Sequence, residues 1–346
     1  MRKIYLIREK SSKVGGAEIY LLRLANALNK KGIDYQIINS IFPKFLPSWL
    51  RIILFNLQVC FTKKDRFYFS LERIVCPDIY RAGDGVHKVF LSIEKKSKFN
   101  LLHPVYRFLE EQCFRRAKHI VANSNMVKQE IIRSYGINPN KIDVIYNGFD
   151  QGNYDYGRSF ERLSKEFNLD KEVSILLYVG SGFKRKGVEE FLYIVSKLKK
   201  SNIKAFVIGK EKNIDHYKQL SGDLQITDKV VFTGPRKDVK DFYVISDVFL
   251  LPAHYEPFGN VVLEAMSLNN AVFTTKKCGA SELLNDQDVM QNPRDLSVIK
   301  RINSLLDNTH VLEQVKQDNR SRASNYTITK NLDQTVKLII RAQKSL

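Results

Sequence analysis

The stretch Pro252-Ala253-His254-Tyr255-Glu256-Pro257-Phe258-Gly259-Asn260-Val261-Val262-Leu263-Glu264-Ala265-Met266 decides how this chain is read. It follows Asp247-Val248-Phe249-Leu250-Leu251, an apolar run of the kind that forms a parallel strand buried on both faces. Pro252 has no N–H to give a ladder and ends the strand. Gly259-Asn260 then opens a helix predicted to reach about Leu268. Glu256 therefore lies in a loop at a strand's carboxyl end, and Glu264 lies inside the helix. Val261, Val262, Leu263, Ala265, Met266 and Leu268 make that helix apolar almost all round, which predicts burial. A carboxylate in such a setting is costly unless paired or hydrogen-bonded. An Arg or Lys is one possible partner, and the paired hydroxyls of a ribose are another. The N–H groups of Gly259, Asn260 and Val261 form a helix N-terminus, a ready site for phosphate.

Outward from this unit, the second half alternates strand and helix. Strands are predicted at Val173–Val179, Ala205–Ile208, Val230–Thr233, Val248–Leu251 and Val272–Thr275. Helices are predicted near Val188–Leu198, Asp215–Leu220, Lys237–Ser246, Gly259–Leu268 and Ala280–Leu284. The pattern means an α/β fold with a doubly wound parallel sheet, binding ligands at the strands' carboxyl ends. The first of these strands leads into Gly180-Ser181-Gly182-Phe183-Lys184-Arg185-Lys186-Gly187. Glycines admit close backbone approach there, and Arg185 and Lys186 supply positive charge suited to a diphosphate. Lys210 and Lys212, after Gly209, are weaker phosphate candidates. Asp286-Gln287-Asp288 has a metal-site spacing but falls in a late polar loop, so it is read as coincidence and no metal site is expected.

The first half also opens on a strand, Ile4–Ile7. Ser11–Glu18 leads into a helix, and Gly15-Gly16 lets backbone amides approach an anion at its start. Phe42–Phe61 reads either as a core helix or as an amphipathic helix on a membrane face. Gly83-Asp84-Gly85 follows a predicted strand, Asp78–Arg81. It is a plain turn or an acid exposed toward a site, with His87 as a second candidate. Glu94–Lys118 interleaves seven Lys and Arg with aromatic and aliphatic residues, a composition suited to an anionic membrane surface.

Two ordinary domains fit 346 residues. The polar stretch 151–172 places a boundary inside it: a first domain 1–165, a second 166–327 and a C-terminal helix in 328–346. Four cysteines, Cys60, Cys76, Cys113 and Cys278, without Cys-x-x-Cys spacing read as free, buried thiols in a reducing compartment. The N-terminus is too short in apolar residues for a signal peptide, and no run of about 18 apolar residues exists, so a cytoplasmic protein is expected. Residues 1–150 hold 26 Lys and Arg against 13 Asp and Glu, or +13 of the total +19, leaving +6 to residues 151–346. So basic a first half implies an acidic partner. No nucleic-acid motif is present, so no nucleic-acid partner is expected.

The Glu256-x7-Glu264 signature around Pro257-Phe258-Gly259 resembles that of the family 4 nucleotide-sugar glycosyltransferases, which have the GT-B fold of two Rossmann-like domains facing a cleft. The Gly15-Gly16 loop, the Gly180–Gly187 segment and Asn147-Gly148-Phe149-Asp150 are similar to that family too, and the segment, with Ser181 where most relatives have Arg, is closer to its lipopolysaccharide-core glucosyltransferases. The resemblance implies that Glu256 contacts donor-sugar hydroxyls and Glu264 holds the ribose. The amides of Gly259, Asn260 and Val261 would meet phosphate and sugar. Arg185 and Lys186, with Gly15 and Gly16, would bind the pyrophosphate. Asp84 would stand where the acceptor hydroxyl enters. It further implies a retaining hexosyl transfer, with UDP-glucose as donor and a lipopolysaccharide-core heptose as acceptor. The enzyme would be metal-independent and without cofactor, peripheral on the inner face of the cytoplasmic membrane. The first domain would read the acceptor, the second the nucleotide sugar, and the last helix would cross back to the first. The other readings are an epimerase or hydrolase of the same fold, or a non-catalytic anionic-lipid-binding protein.

Overall fold

The computed structural model describes residues 2–9, 16–94, 100–150 and 152–344. Ser11 to Gly15 and the basic residues Lys95, Lys96 and Lys98 lie outside the described residues. The chain forms two compact units: Met1–Asn147 with Ile328–Leu346, and Gly148–Thr327.

The first unit runs β1 (Ile4–Ile7), α1 (Gly16–Lys30), β2 (Tyr35–Ile38), α2 (Ser48–Phe61), β3 (Phe67–Ser70), β4 (Ile79–Ala82), α3 (His87–Glu94), α4 (Leu102–Arg116), β5 (His119–Ala122), α5 (Asn125–Tyr135) and β6 (Ile142–Val144). Its six strands lie in the order β2-β1-β3-β4-β5-β6. Every pairing is parallel, with Ile4 opposite both Tyr35 and Phe67. The helical period of α1 puts Leu21, Leu24 and Leu28 against Ile4, Phe67 and Phe69, and Val336 and Ile339 of the C-terminal helix close the same core. The apolar run from Phe42 becomes helix only at Ser48. Pro47 holds an extended backbone (ψ 138°) as the N-cap residue, and the residue before a proline is itself biased away from helix.

The second unit runs α6 (Tyr156–Phe167), β7 (Ser174–Val179), α7 (Phe183–Lys186), α8 (Val188–Ser196), β8 (Ile203–Ile208), α9 (Ile214–Asp223), β9 (Val230–Gly234), α10 (Val239–Ile245), β10 (Val248–Leu251), α11 (Asn260–Ser267), β11 (Ala271–Thr275), β12 (Val289–Met290), α12 (Ser297–Leu306) and α13 (Thr309–Ala323). The strand order is β12-β11-β10-β7-β8-β9, again all parallel. Every residue of β7, β10 and β11 is buried, which is why these strands read as unbroken apolar runs. The predicted helix at Ala280–Leu284 is a 3₁₀ turn, Gly279–Leu283.

The boundary expected at residue 165 falls instead after Asn147. Helix α6 belongs wholly to the second unit. Its Arg162 bridges Asp238 (2.6 Å) and Asp241 (2.5 Å), and Phe167 packs on Phe206 and Phe242. The polar face of α6 made the segment look like linker, while its buried face is short. The last helix, α14 (Ile328–Lys344), is part of the first unit. At the crossings, Phe149 N–H donates to Tyr326 O (3.0 Å) in the second unit, and Asn331 donates to Tyr146 O (2.6 Å) in the first.

Candidate active site

In the second unit the chain builds outward from β7 through β8 to β9, then returns to place β10 on the other side of β7. Between β7 and β10 the connections diverge to opposite sides, and a crevice opens at their carboxyl ends. Arg185 and Lys186 follow β7, and Glu256 follows β10, so the topology alone delivers them to one place.

The loop after β10 is pinned from below. Glu256 N–H donates to Lys277 O and Gly279 N–H donates to Glu256 O, both at 2.9 Å, and Ala280 N–H donates to Phe258 O at 2.7 Å. The Cys278 thiol, fully buried, also donates to Phe258 O (3.0 Å). Gly259 caps α11 with φ +87°, and a Cβ there would stand 2.7 Å from Cys278 Sγ, so a side chain is excluded twice over. On the other side, Gly187 has φ +78°, and a Cβ would lie 1.9 Å from Pro252 O. The close approach of these two loops is what lets His254 N–H donate to Arg185 O (2.9 Å).

Three predicted site residues meet directly. Arg185 Nη1 lies 3.0 Å and Lys186 Nζ 3.1 Å from the same oxygen, Glu256 Oε2. Arg185 also donates to Tyr255 O (2.5 Å), which fixes its fork. Burial works against the charge on Glu256, but Lys186 and Arg185 outweigh it and hold the carboxyl below its usual value. The cluster is an ionised acid bearing two cations, with net positive charge for an anion.

Glu264 sits in the second turn of α11, partly exposed rather than buried. Among the described residues its hydrogen-bond partner is neither Arg nor Lys: Tyr243 Oη donates to Oε2 at 3.2 Å. Although its side chain is partly exposed, the protein packed around the Glu264 carboxyl strips water from it and raises it, and the Tyr243 hydrogen bond with the Lys240 and Lys186 charges offsets this in part. Burial also pushes the Tyr243 phenol well up, so it stays a donor. Tyr243 was not legible as a site residue, because it reads as one more apolar position of α10.

The remaining predicted residues lie in the first unit. Gly16 is the exposed first residue of α1, while Gly15 is outside the described residues. Asp84 is exposed in the turn after β4, and Asn123 supports that turn by donating to Gly83 O (2.9 Å). His87 begins α3 among the rings of Phe90, His103 and Tyr106. Burial, helped by Arg73, lowers its imidazole to about 4, so it is neutral at physiological pH. Sequence reading passed over Glu110. Fully buried, it accepts from Arg73 Nε (2.9 Å), His87 N–H (2.7 Å), Lys88 N–H (3.2 Å) and Tyr135 Oη (2.7 Å). Its signal was the helical spacing to Cys113 and Phe114, both buried. Asp288 is buried against Arg301 (3.2 Å), and the described residues hold no cluster of acids, histidines and cysteines fit for a metal.

Two parallel doubly wound units with a cation-bearing switch point in the second define a GT-B architecture. Family models support a family 4 glycosyltransferase: residues 84–152 match Glycosyltransferase Family 4, and residues 159–323 match Glycosyl transferases group 1. The lipopolysaccharide glucosyltransferase WaaG of Escherichia coli K12 is 27% identical over 219 residues, 60% of this chain and 58% of WaaG. The crystal structure of WaaG, a glycosyltransferase involved in lipopolysaccharide biosynthesis, has a TM-score of 0.79 at 19% identity, covering 97% of this chain and 99% of WaaG. Anabaena HepE in complex with UDP and glucose has a TM-score of 0.77 at 18% identity, covering 99% of this chain and all of HepE (100%). At those identities the structural likeness speaks to fold alone. The chain spans about half the length of the curated relatives it matches.

Proposed function

We propose that this chain moves a hexose from a nucleoside-diphosphate sugar to a hydroxyl of a glycan or glycolipid, with retention at the anomeric carbon. The contact of Arg185, Lys186 and Glu256 at the β7–β10 switch point carries the reading. Two fixed cations and the N-terminus of α11 stabilise charge as it develops on the leaving diphosphate. They do so without a divalent ion. Glu256 is held ionised to accept from sugar hydroxyls, and Glu264 to receive the ribose diol. The leaving phosphate oxygen takes the proton of the attacking hydroxyl on the same face of the sugar, which gives retention. Asp84, exposed beside β4, orients the acceptor. The donor is UDP-glucose, as the HepE complex and the glucosyltransferase WaaG suggest, and the acceptor is a lipopolysaccharide-core heptose. The basic first unit holds the enzyme against an anionic membrane surface at the inner face of the cytoplasmic membrane.

The test is turnover of UDP-glucose with a heptose-bearing core acceptor in excess EDTA. Release of UDP only when acceptor is present supports transfer. Sugar release or isomerisation without acceptor would replace transfer by hydrolysis or epimerisation. Vesicle binding with no UDP-dependent thermal shift would leave a lipid-binding protein.

A further inference from the structure

The first unit carries two adjoining depressions that the donor-site residues do not line. One is an apolar groove of about 450 Å³, lined by Ile53, Leu57, Cys60, Val75, Val105 and Phe108. The other, about 380 Å³, is lined by Lys88, Arg107, Glu111, Ser134 and Tyr135. Pro104 and Phe108 line both, so Phe108, 62% exposed, stands as the ridge between them. Both volumes fall in the range of small-ligand sites, about 300–1,000 Å³.

The sequence of α2 accounts for the groove. A surface helix needs one apolar stripe, and Ile52, Phe55 and Val59 supply it, buried toward the core. Ile53, Leu57 and Cys60 make a second stripe, offset by about a third of a turn, that the core does not use. Leu57 (49% exposed), Phe61 (81%) and Leu101 (60%) extend apolar surface beside it. The neighbouring depression is polar and cationic. Lys88 Nζ donates to Ser134 O (3.1 Å), Arg107 is exposed, and Glu111 is drawn to Arg115 (2.8 Å).

Resting on the membrane reading above, we propose that this pair of depressions binds one anionic phospholipid. An acyl chain lies in the groove between α2 and α4, and the phosphate reaches Lys88 and Arg107 across Phe108. The chemistry selects this occupant. A second copy of the chain brings the same net charge, +19, and is repelled. A polar anion leaves the groove empty, and an uncharged chain leaves the cations unused.

The experiment uses the whole chain with Trp49, its one tryptophan, replaced by Phe, and with Phe108→Trp as reporter. The probe is vesicles of phosphatidylglycerol in phosphatidylcholine, with acyl chains brominated in one set and unbrominated in the other. Co-sedimentation together with quenching of the introduced indole by brominated chains supports the proposal. Leu57→Asp, at an exposed position, should abolish the quenching. Lys88→Gln with Arg107→Gln should weaken partition roughly thirtyfold, from about fivefold per cation near an anionic surface. Co-sedimentation without quenching overturns the lipid site and leaves surface association standing. Absence of co-sedimentation overturns both. A dimer in sedimentation velocity that Leu57→Asp dissolves overturns the lipid in favour of a second copy. Unchanged thermal unfolding of each variant confirms that it is folded.

Discussion

Both units are doubly wound parallel sheets, with one strand before the switch point in the first and two in the second, and they differ in what they put there. In the second, β7 and β10 deliver two cations onto one acid, Arg185 and Lys186 on Glu256. In the first, β1 and β3 are the neighbours whose connections diverge, and there, among the described residues, Arg8 meets two acids, Glu18 and Glu72, each at 2.8 Å. The first unit holds most of the chain's positive charge, yet the described cluster of Arg8, Glu18 and Glu72 has more acids than cations. Net charge describes what a unit meets at a distance, whereas the local ion count describes what its crevice accepts.

The comparison breaks most decisively at Glu256. Glu256→Ala is expected to abolish turnover of UDP-glucose, and Lys186→Ala to lower kcat by about 10²–10³-fold, as for loss of one transition-state charge stabiliser. Full activity in either variant would remove the second crevice from the chemistry.

Next in size is a stability effect confined to the first unit. Glu110→Ala leaves Arg73 buried without its carboxylate and is expected to cost about 3–5 kcal/mol in chemical denaturation. A loss under about 1 kcal/mol would mean that Glu110 is not the hub the geometry makes it.

Smaller effects come from pH. Glu256 has a folded value below the usual 4.5, so its contribution is present above that value and lost as pH falls through the folded value. Glu264 has a folded value above 4.5, so its contribution is present below 4.5 and lost as pH rises through the folded value. Unfolding of Glu256→Gln and Glu264→Gln, followed from acid to neutral pH, should therefore depart from the parent with opposite slopes. Parallel curves would contradict the contrast between the two acids.

The smallest expected effect is at His87. Its folded value near 4 lies below the ordinary 6.5, so stability falls as pH drops across that window. His87→Phe should flatten that part of the profile with little change at neutral pH.

How legible a region was depended on what buried it. Strands β7, β10 and β11 are covered on both faces, so their apolar runs marked them to within two residues at either end. Arg185, Lys186 and Glu256 were picked out by their place in loops after parallel strands, and the structure brings these three side chains together. Helix α6 was misplaced because only one thin face of it is buried. Glu110 and Tyr243 were missed because each looks ordinary on its own helix, and their meaning lies in partners 21 to 37 residues away. Asp84 was visible as a candidate through its glycine neighbours, and it is exposed in the structure, near enough to Arg8 and Arg73 for its charge to act on both.

The C-terminal helix has a consequence for biosynthesis. Val336, Leu338 and Ile339 sit in the same core as Ile4 and Leu24, yet a ribosome makes them after all of residues 148–327. The downstream unit is contiguous and ready to mature during synthesis, whereas the upstream unit must wait for α14 before its own interior is sealed. Maturation thus runs opposite to the order of translation, and nascent chains stalled before Ile328 should expose an unfinished N-terminal core to proteases.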